Sequence, residues 1–240
     1  VFFVFGRIRH SVINYITVKQ SYNTCGILFC KLGIVDAGNG AGGFYASEVL
    51  ARLGADTSGS QFLEPDGMFP NHIPNPENEQ AMESICNAVK ANKADLGIIF
   101  DTDVDRAGCV GSDGKEINRN RLIALSAYMA SEGKKGITVV TDSVTSDGLK
   151  DYIENTLGGI HYRYRRGYKN VINKAEELCE KGIDCPLAIE TSGHAALREN
   201  YFLDDGAYLV TKIVIELARG RDIEKILDPL KMPEEELEVR

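Results

Sequence analysis

Three aspartates alternate along the segment Asp101–Arg106, whose sequence is DTDVDR. The segment follows the apolar run Leu96–Phe100, which is bounded by charged residues and predicts a strand buried on both faces. Carboxylates at positions 101, 103 and 105 of a turn can converge their oxygens on one hard cation, and closely spaced negative charges need such a counter-charge. The spacing therefore predicts a divalent-metal site with Asp101, Asp103 and Asp105 as its ligands.

The alternatives to this metal site are a solvated acidic turn and an EF-hand loop. A solvated acidic turn would also place aspartates after a strand. An EF-hand loop explains the sequence less well, because its sixth position takes Gly and its twelfth takes Glu, where this chain has Arg106 and Ser112. The predicted flanks are also strand-like, whereas an EF-hand loop lies between helices.

Three more polar segments follow predicted strands. Asp36–Gly43 (DAGNGAGG) has four glycines before a helix, so its backbone amides suit either an anion or a tight turn. Glu190–His194 (ETSGH) offers a carboxylate, hydroxyls and an imidazole that suit a polyol, although His194 alone is as well explained by a structural role. Arg165–Asn170 (RRGYKN) gathers three cations around a glycine, which suits a phosphate or a solvated basic turn.

Short apolar runs alternate with amphipathic segments from residue 33 onward, and this alternation predicts parallel βαβ units. Thr145 and Ser146 are candidate N-caps. The predicted strands are 33–36, 96–100, 137–141, 160–164 and 186–189, and the predicted helices are 44–53, 77–92, 118–132, 143–155, 169–181 and 205–219. The fold class predicted from this pattern is α/β, with two similar three-layer domains and mostly parallel sheets.

The composition indicates a globular protein. The chain has 240 residues, of which 43% are hydrophobic and 26% charged, and its net charge of −8 argues against a dedicated nucleic-acid-binding protein. Its six cysteines form no C-x-x-C pair and indicate buried thiols in a reducing compartment. No uncharged apolar stretch reaches the length of about 18–20 residues that spans a bilayer. The prediction is an intracellular, soluble protein with neither a nucleic-acid nor a membrane partner, in cytoplasm or plastid.

Together these motifs resemble the α-D-phosphohexomutase superfamily, which includes the phosphoglucomutases and phosphomannomutases. The aspartate segment resembles its magnesium loop, and ETSGH resembles its sugar-recognition loop, with Ile189 where that motif usually has Gly. The matching segments occur in the family's order and cover its two central domains, at 34–42 (IVDAGNGAG), 69–76 (FPNHIPNP), 101–106, 167–169 (GYK) and 190–194.

The resemblance implies an isomerase that moves a phosphate between O1 and O6 of a hexose through a phosphoserine and a bisphosphorylated sugar. It implies Mg²⁺ as cofactor, bound by the three aspartates, and a phosphorylated hexose as substrate. It also implies catalytic residues at three positions and substrate-binding residues at five. The catalytic positions are Arg106, Lys169 and His194, and the substrate-binding positions are Gly167, Tyr168, Glu190, Ser192 and Gly193.

The resemblance also predicts how the chain divides. We expect an N-terminal extension foreign to the family at 1–32, domain 2 with the metal loop at 33–133, domain 3 with the sugar loop at 134–230, and a linker at 231–240. The phosphoserine loop and the phosphate clamp of the outer domains do not occur in the sequence. We therefore expect a fragment that is inactive by itself.

Two alternatives stay open at this point. A non-catalytic remnant would bind metal and sugar phosphate without turnover. A phosphatase of the haloacid-dehalogenase type would use Asp101–Val104 as its nucleophile loop and Asp204–Asp205 as a later acidic pair, but it leaves the other motifs unexplained.

Overall fold

The computed structural model describes residues 32–233. Residues 1–31 and 234–240 lie outside the described residues, and with them nearly all of the predicted extension and most of the predicted linker. The described chain forms two compact units. The first contains residues 32–118, Ser192–Ala195 and Asp204–Arg221, and the second contains Arg119–Thr191, Ala196–Leu203 and residues 222–233. Domain boundaries at 33–133 and 134–230 stay a prediction, since the units describe packing and not the extent of a family domain.

The first unit is built around the buried strand β2. The sheet has the order β1 (Gly33–Asp36), β2 (Leu96–Phe100), β3 (Ala107–Gly111) and β4 (Glu116–Ile117). Strands β1 and β2 are parallel, whereas β2–β3 and β3–β4 are antiparallel. The sheet is therefore mixed and not mostly parallel as predicted, because the six residues between β2 and β3 are too few for the crossover that a parallel neighbour needs.

Apolar residues on one helix face explain the packing of this unit. Helix α1 (Glu79–Asn92) begins after Asn78, whose side chain accepts a hydrogen bond from a backbone N–H of the first turn. Its buried face packs against the sheet in one core with Ile34, Ile99 and Val110. The predicted helix at 44–53 is a π-helical segment, Tyr45–Leu50, between two short 3₁₀ turns.

The second unit has the sheet order β6 (Ile160–Arg163), β5 (Thr138–Thr141), β7 (Leu187–Ile189) and β8 (Ala195–Leu197). Strand β5 is parallel to both β6 and β7, so their carboxyl ends meet at one edge. A core of small and aliphatic side chains on β5, β7 and the helix Tyr168–Glu180 fills the face of the sheet that this helix covers. The helices are α2 (Arg119–Ser131), α3 (Asp147–Asp151), α4 (Tyr168–Glu180), α5 (Gly206–Ala218) and α6 (Ile223–Leu227), of which α5 belongs to the first unit.

The α/β class is confirmed in both units. Ser146 caps α3 by accepting from the backbone N–H of Leu149 at 3.1 Å, as its position predicts. Helix α3 continues into a second π-helical segment, Tyr152–Thr156. Within residues 32–233, none of the helices combines the length and the apolar composition needed to cross a membrane.

Candidate functional site

The aspartate loop is folded back on its first member. Asp101 is buried, and its Oδ1 accepts hydrogen bonds from the backbone N–H groups of Val104 (2.9 Å) and Arg106 (3.2 Å). Its Oδ2 accepts from Nε of Arg106 at 3.0 Å. Val104 is buried with a φ of 74°, a left-handed conformation that is unfavourable for a β-branched residue. These contacts hold the loop in one strained turn.

This turn brings the three predicted metal ligands together. Asp101, Asp103 and Asp105 each offer a carboxylate oxygen, and these oxygens lie within 4.8 Å of one another. Burial raises the pKa of all three carboxyls above their ordinary value, and the charge of a neighbouring aspartate raises it further. A hard divalent cation accepts such oxygens and offsets their repulsion, so the donor set fits Mg²⁺.

Arg106 lies at the edge of this acidic group. Besides its bond to Asp101, its guanidinium is 3.9 Å from Asp105 Oδ1 and 3.9 Å from Glu77 Oε2. Its Nη1 donates a hydrogen bond to Asn75 Oδ1 at 3.4 Å. Asn75, in the loop at 65–76, therefore helps to orient the arginine that the family resemblance implies is catalytic.

The glycine-rich segment after β1 supports the aspartate loop. The backbone N–H of Ala41 donates to the carbonyl of Thr102 at 2.9 Å. A Cβ at Gly40 would lie 3.0 Å from that carbonyl oxygen, so the close approach needs glycine there. The carboxylate of Asp36 is fully buried and contacts Nε2 of His72 at 3.0 Å. The glycine-rich segment therefore packs directly against the aspartate loop.

His194 lies beside the aspartate loop in the first unit. Its backbone forms an antiparallel bridge with Arg106, and its Nδ1 is 2.7 Å from Asp204 Oδ2 and 3.7 Å from Asp105 Oδ2. Burial alone would lower the pKa of His194, but the hydrogen bond and negative charge of Asp204 outweigh it, so the pKa is raised. The structure thus joins His194 to the predicted metal ligands.

The two residues before His194 belong to the same unit. Gly193 has a φ of 97°, and a Cβ there would lie 2.9 Å from the carbonyl oxygen of Ala107. Only glycine allows the chain to run this close to β3. Ser192 is buried.

Glu190 and the basic turn meet in the second unit. The buried carboxylate of Glu190 accepts a hydrogen bond from the backbone N–H of Gly167 at 2.6 Å, at the start of α4. Gly167 has a φ of 117°, which favours glycine. Tyr168 and Lys169 are exposed, with Nζ of Lys169 5.8 Å from the Tyr168 ring centroid. The structure therefore brings Glu190 and the Gly167 turn together within the second unit.

Sequence reasoning missed two acidic contributors, Asp142 and Asp204. Asp142 follows β5, and its Oδ2 accepts from the hydroxyl of Thr191 at 2.6 Å. Asp204 was noted only as part of an acidic pair for another enzyme class. Asp142 carries the signal that identified the other loops, a polar residue directly after a buried strand. Asp204 carries no such signal, because its partner His194 is ten residues away.

Comparison with known proteins identifies the family. The family description "Phosphoglucomutase/phosphomannomutase, alpha/beta/alpha domain II" matches residues 32–114, and the corresponding domain III description matches 118–232. The chain belongs to this family. It is 32% identical over 187 residues to the "Phosphomannomutase/phosphoglucomutase" of Pseudomonas putida, an alignment that covers 78% of this chain and 39% of the relative.

Solved structures of phosphohexomutases have the same fold. A phosphoglucomutase/phosphomannomutase family protein from Burkholderia thailandensis matches with a TM-score of 0.74 and 32% identity, over 84% of this chain and 43% of that one. The N-acetylphosphoglucosamine mutase of Aspergillus fumigatus, solved with GlcNAc-6P and magnesium, matches in fold with a TM-score of 0.58 and 15% identity, over 87% and 50%. The chain thus spans half or less of the length of each of these relatives.

Proposed function

We propose that this chain provides the metal-binding and sugar-recognising part of a phosphohexomutase. Such an enzyme is an isomerase that moves a phosphate reversibly between O1 and O6 of a hexose through a phosphoserine and a bisphosphorylated sugar. The observation that carries the proposal is the cluster of three converging carboxylates after β2, in a chain of the phosphoglucomutase/phosphomannomutase family. The A. fumigatus structure, a complex with GlcNAc-6P and magnesium, supports the same pair of ligands.

In this proposal Asp101, Asp103 and Asp105 hold Mg²⁺. When bound, the ion supplies positive charge that neutralises a phosphate during transfer. Asp101 also fixes the turn through its backbone contacts, so it positions the other two carboxylates. Arg106 is held by Asp101 and presents its guanidinium to a phosphate oxygen.

The sugar ring and a phosphate of the substrate are assigned to the segments Glu190–His194 and Gly167–Lys169. A carboxylate accepts from two hydroxyls and a serine hydroxyl donates or accepts, so Glu190 and Ser192 suit adjacent ring hydroxyls, with Gly193 allowing the turn. Gly167, Tyr168 and Lys169 form the turn that faces the substrate, and Lys169 offers a cation to its phosphate. His194 is proposed to hold or move a proton at a sugar oxygen.

Calorimetric titration with Mg²⁺ tests the metal assignment. The double substitution Asp101→Asn, Asp103→Asn should weaken Mg²⁺ binding at least about tenfold, since it removes two anionic ligands. The matched control is Glu176→Gln, Asp228→Asn, which removes the same charge from exposed positions. Unchanged Mg²⁺ uptake in the Asp101/Asp103 variant would exclude this site.

A second titration tests the sugar assignment. Glucose 6-phosphate and mannose 6-phosphate should shift the amide signals of Gly167 and Gly193, and Ser192→Ala should weaken that response. Interconversion of glucose 1-phosphate and glucose 6-phosphate, with glucose 1,6-bisphosphate added, then separates an active enzyme from a chain that only binds. Absence of any hexose-phosphate response in the unmodified chain would contradict the proposed sugar site.

A further inference from the structure

The adjacent acids Asp204 and Asp205 make different contacts. Asp205 caps α5, because its Oδ1 accepts a hydrogen bond from the backbone N–H of Tyr208 at 2.8 Å. Its role is structural, and it accounts for one half of the acidic pair. The carboxylate of Asp204 instead contacts His194 and the backbone of Ala195.

Both carboxylate oxygens of Asp204 contact the segment that contains His194. Oδ2 lies 2.7 Å from Nδ1 of His194, and Oδ1 accepts from the backbone N–H of Ala195 at 3.1 Å. The two side chains are 14% and 16% exposed, so water competes little for these contacts. A two-point contact of this kind fixes both the ring and the backbone next to it.

We propose that Asp204 is a positioning residue that sets the orientation and the tautomer of the His194 imidazole. An ionised carboxylate can only accept, so the 2.7 Å contact requires the hydrogen of the ring to lie on Nδ1. In the neutral ring Nε2 then carries the lone pair and can accept a proton. This assignment rests on the proposed function, in which His194 acts on a sugar oxygen, and it deepens that function by naming the group that prepares the histidine.

The nearby metal loop makes Asp204 the better partner for Nδ1. Asp105 Oδ2 is 3.7 Å from Nδ1, which is 1.0 Å farther than Asp204 Oδ2. A cation on the aspartate loop would draw the lone pairs of Asp105 toward itself. Asp204 would still accept from Nδ1, so the imidazole keeps one orientation whether or not the metal is bound.

Long-range proton–nitrogen NMR on the full chain, labelled at its histidine nitrogens, reads the tautomer directly. Spectra are recorded without metal near about pH 9, above the ordinary imidazole pKa of about 6.5, and His194→Gln assigns the signal. We expect Nδ1–H at His194 in the unmodified chain. Asp204→Ala should lower the ratio of Nδ1–H to Nε2–H at least about tenfold, the size expected for a charged hydrogen bond.

Four comparisons serve as controls for this test. The signals of His72 and His161 should stay unchanged in Asp204→Ala, and Asp228→Ala, which removes an exposed acid, should leave His194 unchanged. If the alanine variant unfolds, Asp204→Leu keeps a similar side-chain shape without any hydrogen-bond acceptor, and Asp204→Glu should restore the Nδ1–H form in part. A general structural role would move all the histidine signals, whereas a positioning role moves one.

Either of two results would overturn the proposal. One is an Nε2–H tautomer at His194 in the unmodified chain, and the other is an unchanged ratio in folded Asp204→Ala or Asp204→Leu. Neither result depends on the Mg²⁺ titration, so a failure of this proposal is distinguishable from a failure of the proposed function. Conversely, a chain that takes up no Mg²⁺ but holds His194 as Nδ1–H would refute the metal site and keep this contact.

Discussion

Acidification should destabilise this protein through one buried imidazole, that of His161 on β6. Its Nε2 pairs with the hydroxyl of Thr141 at 2.8 Å, and its buried Nδ1 has no hydrogen-bond partner among residues 32–233. Burial and the positive charges of Arg163 and Lys150 lower the pKa of His161 to about 4, against a smaller opposing effect of Asp147. A protonated ring would also bury an N–H without an acceptor, which adds to the cost of the charged form.

The magnitude follows from linkage between protonation and folding. In the unfolded chain the imidazole takes up a proton below its ordinary pKa of about 6.5, whereas in the fold it does so only below about 4. Between these values only the unfolded state binds the proton, so the free energy of unfolding falls as the pH falls. A difference of about 2.5 pKa units corresponds to about 3 kcal/mol, all of it lost by about pH 4.

Urea unfolding of the unmodified chain and of His161→Gln, measured from about pH 7 to about pH 4, isolates this contribution. Glutamine can still meet the Thr141 hydroxyl but does not titrate, and the carboxylates of the two proteins titrate alike. We expect the stability of the unmodified chain to fall relative to the variant by about 3 kcal/mol over this interval. An NMR titration of the His161 ring should show a midpoint of about 4.

The reasoning fails on either of two observations. A His161 midpoint near the ordinary value of about 6.5 would show that burial and the neighbouring cations do not act on the ring as described. Parallel stability curves for the two proteins would show that the proton of His161 is not linked to unfolding, whatever its pKa in the fold.

Two further substitutions test individual contacts by urea unfolding. Ser146→Ala should cost about 1 kcal/mol because it removes the cap of α3, whereas exposed Ser143→Ala should cost little; equal losses would contradict the capping role. Tyr45→Phe should also cost about 1 kcal/mol, since its buried hydroxyl bonds the hydroxyl of Thr211 at 2.9 Å. Tyr201→Phe, at a side chain that is 86% exposed, is its control, and a stability equal to the parent's in Tyr45→Phe would reject the contact's contribution.

Elements with a strong local pattern were predictable from the sequence, and elements formed by pairing were not. The apolar run Leu96–Phe100 is strand β2 with the predicted bounds, and α1 begins within two residues of its prediction. Strands β3 (AGCVG) and β8 (AAL) consist of small residues without a β-branched run. Such residues have low strand propensity, so these strands exist because a neighbouring strand offers its backbone.

The same division applies to the candidate site. The aspartate loop was predictable because its ligands lie within five residues of one another. The contact between His194 and Asp204 was not predictable from spacing. The two residues are separated by β8 and a short 3₁₀ turn, and their side chains meet only after the chain has folded back. Sequence spacing predicts contacts between residues of one turn, but it does not predict contacts that depend on the path of a loop.

A carboxylate directly after a buried strand is also an ambiguous signal, and its hydrogen bonds resolve the ambiguity. Asp36, the last residue of β1, is fully buried, and its carboxylate oxygens already bond Gln61, Ser84 and His72. The aspartates after β2 differ, because their charges are packed together and their pKa values are raised. A carboxylate whose oxygens are already bonded by the fold stabilises structure, whereas closely packed like charges call for an external cation. The aspartate loop after β2 is therefore the better candidate for chemistry, although both loops carry the same signal in the sequence.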